Sequence, residues 1–314
     1  LRDHAMTINP NDVIIGTGGK QVLFNALVAT LGEGDEVLIP APCWVSYPDM
    51  AILAGGQAVT VSCGAETNFK ITPAQLQKAI TPRTRVMEIT HITNLTGQIL
   101  PVKELIAMAR AKGVVTFVDG AHAFAQFPFT RDELDVDYYG TSLHKWLLAP
   151  IGTGFLYVRK NKIESMWPLM AGNPGQEADI RKYEEIGTHP AANHNAISVS
   201  LAFHRAIGAA RKQARLKFLR DRWAKRLLAE GKGRVKVLTP LDSKWGGGIG
   251  FFNVDGLDPV KLGSWLVSQH RVVQTPIVHT EFSGIRVTPN VYTTLDEIVR
   301  FSELVLRAMR NGIA

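Results

Sequence analysis

Short apolar runs alternate along this chain with stretches whose apolar positions recur every three or four residues. Val37-Leu38-Ile39 follows a Gly-Asp turn and reads as a buried strand, as do Val59 to Val61 and Val86 to Ile89. Val114 to Val118 and Gly154 to Val158 continue the series. The clearest helix between them is Pro101 to Lys112. Proline occupies its first turn, Gly113 follows its end, and Val102, Leu105, Ile106 and Ala109 share one face. Strand and helix in repetition predict an α/β domain, three layers deep, around a largely parallel sheet.

Residues 191–230 read as one long helical stretch, and after it the pattern changes. Val235 to Leu238, Gly248 to Val254 and Gly284 to Thr288 are strand-like. Asp258-Pro259 opens a helix to about Gln269, and Thr294 to Glu297 has the form of a capping box for the last helix. The expected organisation is a large domain over residues 1–200, a connecting helix over 201–230 and a smaller α+β domain over 231–314.

Composition narrows the classes. Of 314 residues, 46% are hydrophobic and 20% charged, an ordinary globular balance. No apolar run reaches the ~18 residues of a membrane span, and the first residues lack the apolar centre of a signal peptide. The net charge of +7 comes from dispersed Lys and Arg, densest at Arg211 to Lys225. Such a run reads as a solvated helix face, so neither nucleic acid nor membrane is an expected partner. Cys43 and Cys63 form no CxxC pair, and His91, His194, His204, His270 and His279 show no ligand spacing. No metal site is expected, and a reduced, cytoplasmic setting fits best.

The candidate chemistry begins at Asp119, which ends an apolar strand where open α/β sheets place their ligands. Lys145 follows in Ser142-Leu143-His144-Lys145-Trp146. Apolar neighbours would partly desolvate its amine and lower its pKa, and a neutral amine attacks an aldehyde. A carboxylate facing a pyridine nitrogen would keep that nitrogen protonated. A surface lysine and an ordinary strand-end aspartate remain the plain alternative. Gly16 to Gln21 joins a strand to a helix, and backbone amides at a helix N-terminus can cradle a phosphate. A simple turn is the alternative there.

The stretch from Asp119-Gly120-Ala121-His122 through Lys145 to Gly152-Thr153-Gly154-Phe155 closely resembles the class V aminotransferases, which bind pyridoxal 5′-phosphate. The resemblance runs from about residue 85 to the C-terminus and is closest to members described as isopenicillin N epimerase-like. It implies the aspartate aminotransferase-like fold, with Asp119 on the pyridine nitrogen and Lys145 forming the internal aldimine. Ser142 and His144 would bind the cofactor phosphate, and His122 would lie near the ring 3-hydroxyl.

Residues 10–84 resemble a different branch. Gly18-Gly19-Lys20-Gln21, Gly34 to Val37 and Trp44-Val45-Ser46-Tyr47-Pro48 are similar to bacterial class I aspartate aminotransferases. There the turn matching Gly18, Gly19 and Lys20 holds the phosphate, and the Trp matching Trp44 stacks on the ring. The chain thus has the character of a class I/class V hybrid, natural or assembled. Both families imply that Asn94 bonds the ring 3-oxygen and that Arg286 grips the substrate carboxylate. Thr188 resembles a turn that reaches the phosphate of a neighbouring subunit in a homodimer.

The resemblance implies an enzyme acting on an α-amino acid and a keto acid, with transamination first. Epimerisation or a lyase reaction is the alternative. Desulfuration is disfavoured because no cysteine follows Cys63. Only about a dozen residues precede the glycine turn, where the family usually has an arm and a helix. A cofactor-binding but idle homologue is therefore the remaining reading.

Overall fold

The computed structural model describes residues 13–170, 172–184, 187, 191–241 and 244–313. The chain divides into two compact units, Leu1–His91 with Leu100–Gly208, and Ile92–Ile99 with Ala209–Ala314.

The first unit holds a seven-stranded sheet. Its strands are β1 (Val13–Gly16), β2 (Glu36–Ala41), β3 (Gln57–Ser62), β4 (Thr84–Thr90), β5 (Val115–Asp119), β6 (Tyr138–Ser142) and β7 (Gly154–Val158). Their order is β1-β7-β6-β5-β4-β2-β3. The five strands from β2 to β6 are mutually parallel, while β7 is antiparallel to both β6 and β1. The helices are α1 (Gly19–Thr30), α2 (Tyr47–Leu53), α3 (Pro73–Ala79), α4 (Val102–Ala111), α5 (Arg131–Leu134), α6 (Lys160–Ile163), α7 (Ala191–Asn195) and α8 (Ile197–Ile207).

Helices cover both sheet faces, so the inner strands are apolar on both sides, as parallel sheets require. Val37, Ile39, Val86 and Phe117 pack with Val22, Leu23 and Leu27 of α1 and with Tyr47 and Ala51 of α2. On the other face Leu38, Met87, Ile89 and Val118 pack with Leu76 of α3 and Leu105, Ile106 and Ala109 of α4. Strand order reverses between β2 and β4. At such a switch point the loops beyond the carboxyl ends diverge and open a crevice. Asp119 ends β5, and Ser142 ends β6 beside it.

The second unit is built on α9 (Ala209–Glu230), whose Leu219, Trp223 and Leu227 face its core. Its antiparallel sheet runs β10-β11-β9-β8, from β8 (Val235–Val237), β9 (Gly250–Val254), β10 (Thr275–Val278) and β11 (Ser283–Val287). Two helices, α10 (Pro259–His270) and α11 (Leu295–Asn311), complete it, and Thr294 forms the expected capping box with Glu297. The Ile92–Ile99 turn joins this unit through a bridge from Gln98 to Gly246 and the bond from Ile99 N–H to Trp245 O.

Two strands were not legible in the hydrophobic pattern. β6 combines two tyrosines with Gly140, Thr141 and Ser142, and β10 is short and contains a proline. The long helix over 191–230 is instead three helices. Gly208 takes φ 83°, a left-handed conformation that ends α8 before α9 begins. Among the described residues no helix is long and apolar enough to cross a membrane.

Candidate active site

Gly18 precedes α1 with φ 101°, which a residue with a Cβ rarely adopts, and no side chain caps the helix. The first amides of α1 are therefore left to the turn. Gly19 N–H donates to Ser142 Oγ at 3.0 Å, tying the turn to the end of β6. A Cβ on Gly19 would meet that oxygen at 2.7 Å, and a Cβ on Gly154 would meet Gly18 Cα at 2.7 Å. Glycines at these positions let the turn sit directly on the β6 and β7 ends. His144, half-buried just beyond β6, has an unpaired Nδ1, and burial holds its pKa below the usual histidine value.

From the same turn Lys20 carries its Nζ over the Trp44 ring, 5.0 Å from the centroid. Trp44 meets Tyr47 edge-on at 5.5 Å. The Tyr47 hydroxyl donates to Asp119 Oδ2, and Ala121 N–H donates to Asp119 Oδ1 at 2.7 Å. Both oxygens of Asp119 thus accept hydrogen bonds.

Lys145 lies three residues beyond β6, the strand paired with β5, where Asp119 stands opposite Gly140. Its Nζ is 3.1 Å from Nε2 of His122, in the turn after Asp119. Trp146 Nε1 is 3.3 Å from Nδ1 of the same ring. An indole N–H only donates, so Nδ1 accepts and the single proton of a neutral imidazole sits on Nε2. The three side chains together hold the Lys145 amine against the imidazole of His122.

The structure therefore links Gly19 with Ser142, Lys20 with Trp44, and Lys145 with His122 within the first unit. Asn94 and Arg286 lie in the second. The Thr93–Gly97 turn closes through Thr93 Oγ1 and Thr96 Oγ1 at 2.7 Å, and Asn94 O accepts from Arg286 Nη1 at 2.9 Å. Arg286 Nη2 reaches Thr275 Oγ1 at 3.2 Å, while its Nε is buried and unpaired. Thr188 lies outside the described residues.

Sequence reasoning gave Tyr47 and Glu88 no role, yet both belong to the Asp119 surroundings. Tyr47 is 1% exposed and Glu88 2% exposed. Burial and the Asp119 charge push the Glu88 carboxyl well above the usual range, and burial does the same to the Tyr47 phenol. The available signal was a carboxylate inside the apolar run Val86-Met87-Glu88-Ile89. Among the described residues no group of His, Cys, Asp and Glu could hold a metal ion.

Comparison with known proteins places this geometry in context. The model of the class V aminotransferase family, "Aminotransferase class-V", matches residues 14–306, which include the Gly18-Gly19 turn. The aspartate/prephenate aminotransferase of Cereibacter sphaeroides is 55% identical over 107 residues, covering 34% of this chain and 27% of that protein. The isopenicillin N epimerase of Streptomyces clavuligerus is 33% identical over 242 residues, covering 72% of this chain and 60% of that protein. The chain thus matches about a quarter of the first relative's length and under two thirds of the second's. Among solved structures, the apo cysteine desulfurase of Thermococcus onnurineus NA1 superposes with TM-score 0.82 at 19% identity, covering 96% of this chain and 80% of that one. The cystine C-S lyase C-DES, in complex with cysteine persulfide, gives TM-score 0.84 at 22% identity, covering 95% and 82%. These structural matches show a shared fold.

Proposed function

This chain belongs to the class V aminotransferase family, whose cofactor is pyridoxal 5′-phosphate, and from that premise we propose that it transaminates an α-amino acid, with Lys145 as the cofactor-binding amine. The observation that carries the reading is the Lys145–His122–Trp146 arrangement, which holds the amine three residues beyond the end of β6. The residues present fit the cofactor. The cradle at Gly19 is one a Cβ would fill, Ser142 adjoins it, and Asp119 presents a hydrogen-bonded carboxylate.

When bound, the cofactor supplies an electron sink for the bonding pair released at the substrate α-carbon. Asp119, restrained by Tyr47 and Ala121, would hold the proton on the ring nitrogen, and Trp44 would lie against the ring. Lys145 Nζ takes and returns the α-proton, and His122 orients that amine. Arg286 is assigned the substrate carboxylate and Asn94 the ring 3-oxygen on the family pattern, and the unpaired Arg286 Nε supports the former. A homodimer, to which Thr188 would contribute, and a cytoplasmic setting belong to the same proposal.

Epimerisation is the second reading, favoured by the 242-residue match to isopenicillin N epimerase. Desulfuration needs a reactive thiolate. Burial pushes the Cys43 thiol up to about 12, and Cys63 is fully buried with its Sγ on Val61 O. The test is to supply the cofactor-loaded protein with a panel of α-amino acids and a keto acid. Keto-acid release from the donor supports transamination. Inversion with deuterium uptake at Cα and no keto acid identifies an epimerase. Neither reaction with any donor overturns the proposal in favour of an idle homologue.

A further inference from the structure

Glu88 stands in the middle of β4, an inner strand between β5 and β2. Its side chain is 2% exposed, and neither carboxyl oxygen is in hydrogen-bond geometry with a described residue, although the Tyr47 hydroxyl lies near enough to act on it. An ionised carboxylate is not retained in such a place. It takes up a proton instead.

The face Glu88 occupies is the face of Asp119. Parallel pairing sets Glu88 opposite Phe117 and Thr90 opposite Asp119, so alternation sends Glu88 and Asp119 to the same side. That side is covered by α1 and α2, where Val86 and Phe117 pack with Tyr47. The titratable groups facing Glu88 are Tyr47 from α2, Asp119 from β5 and Cys43 from the segment after β2. Burial holds Glu88, Tyr47 and Cys43 each toward its neutral form. Asp119 alone has both oxygens occupied by donors. Two carboxyl groups acting on one buried hydroxyl do not both ionise.

We propose that Glu88, Tyr47 and Asp119 form one buried acid cluster carrying a single negative charge on Asp119, and that Glu88 is the positioning residue whose neutral form keeps the charge there. The positioning role rests on the reading of Asp119 as the partner of the ring nitrogen. The cluster's charge state does not. Neutral Glu88 leaves the Tyr47 hydroxyl to donate to Asp119, so one oriented carboxylate faces the cofactor pocket. An ionised Glu88 would compete for that hydroxyl and repel Asp119.

Two measurements test this. Difference infrared spectroscopy of the cofactor-free protein at pH 7, wild type minus Glu88→Gln, should show a protonated-carboxyl band that the variant lacks. Its absence overturns the proposal. After loading with pyridoxal 5′-phosphate, absorbance is titrated with pH in wild type, Glu88→Gln, Glu88→Leu and Tyr47→Phe. Glu88→Gln and Glu88→Leu, both neutral, should keep the wild-type midpoint, whereas Tyr47→Phe, which removes the donor to Asp119, should move it by about one pH unit. If Glu88→Leu does not fold, the Gln and Tyr47→Phe pair decides. A midpoint moved by Gln, or unmoved by Tyr47→Phe, overturns the positioning role. If wild type takes up no cofactor, the functional reading fails and the positioning role with it, while the infrared band still decides the charge state.

Discussion

Nζ of Lys145 lies 3.1 Å from Nε2 of His122, whose Nδ1 is already engaged by the Trp146 indole. A donor-only group on one ring nitrogen fixes what the other can do. Trp146 is 4% exposed, so this constraint is held by the core rather than by a mobile surface contact. The position of the amine is thereby coupled to packing one residue along the chain.

On the proposed mechanism Lys145→Ala removes both the anchoring amine and the proton-transfer group. Positioned acid–base groups contribute roughly 10²–10⁴-fold each, so turnover should fall by at least that range. The absorbance that wild type gains on mixing with pyridoxal 5′-phosphate should be absent. Wild-type absorbance and keto-acid release in the variant would remove Lys145 from the mechanism.

Trp146→Phe keeps the aromatic packing and deletes the indole N–H. His122 is then free to place its proton on Nδ1 and accept from a Lys145 ammonium at Nε2, which stabilises the cation. A neutral hydrogen bond contributes about 0.5–1.5 kcal/mol, so the pH profile for cofactor capture should move to higher pH by up to about one unit. Stopped-flow capture rates across pH read this directly, and an unshifted profile counts against the tautomer argument.

Gly19→Ala places a methyl 2.7 Å from Ser142 Oγ and separates the α1 amide from its acceptor. Losing one hydrogen bond near a charged phosphate costs about 1.5–3 kcal/mol, or roughly tenfold to a hundredfold in Kd. Equilibrium dialysis with the cofactor should show weaker retention, and free pyridoxal, without the phosphate, should be affected far less. Equal weakening of both would place the phosphate elsewhere.

How much of this was legible in the sequence depended on whether one residue or several had to cooperate. β2, β4 and β5 declared themselves because strands buried on both faces are apolar throughout. β6 hid because Gly140 must leave room beside Phe117 and Val22, and its last residues are polar where the strand meets the glycine turn. Asp119 and Lys145 stood out through chemistry and motif. Tyr47 and Glu88 did not, because their importance comes from strand register, which sets Glu88 and Asp119 on one face thirty-one residues apart in number. The break at Gly208 was invisible to periodicity, since the apolar repeat continues across it.

Arg286 donates to Asn94 O and Thr275 Oγ1 and keeps a buried Nε with no partner. On the proposed role a substrate carboxylate would pair with this guanidinium, and charge-assisted bonds contribute about 1.5–3 kcal/mol. Arg286→Ala should therefore lower kcat/KM for an α-amino acid by roughly tenfold to a hundredfold, mainly through KM. Arg286→Lys should not restore it, because an ammonium lacks the planar fork. The corresponding amine without a carboxylate is the control, and an equal loss with that substrate would assign Arg286 a structural role.

His91 is 3% exposed and packed edge-on against Phe127 at 5.3 Å and Phe129 at 4.8 Å, with Nδ1 unpaired. Burial lowers its pKa to about 3. An unfolded chain protonates the same ring near 6.5, so between these values the unfolded state binds the extra proton. Stability therefore falls as pH drops through that window and is flat for this group above it. The difference amounts to about 2 kcal/mol between pH 7 and pH 5. His91→Leu removes the titrating group while keeping an apolar side chain in the aromatic cage, so its loss of stability over that interval should be smaller by that amount. Urea unfolding of cofactor-free protein at each pH isolates the effect, because other titrating groups act equally on both proteins and cancel in the comparison. Parallel curves would mean that the ring gains a proton or a partner in the folded state, and the cage around it would then have to open well above pH 3.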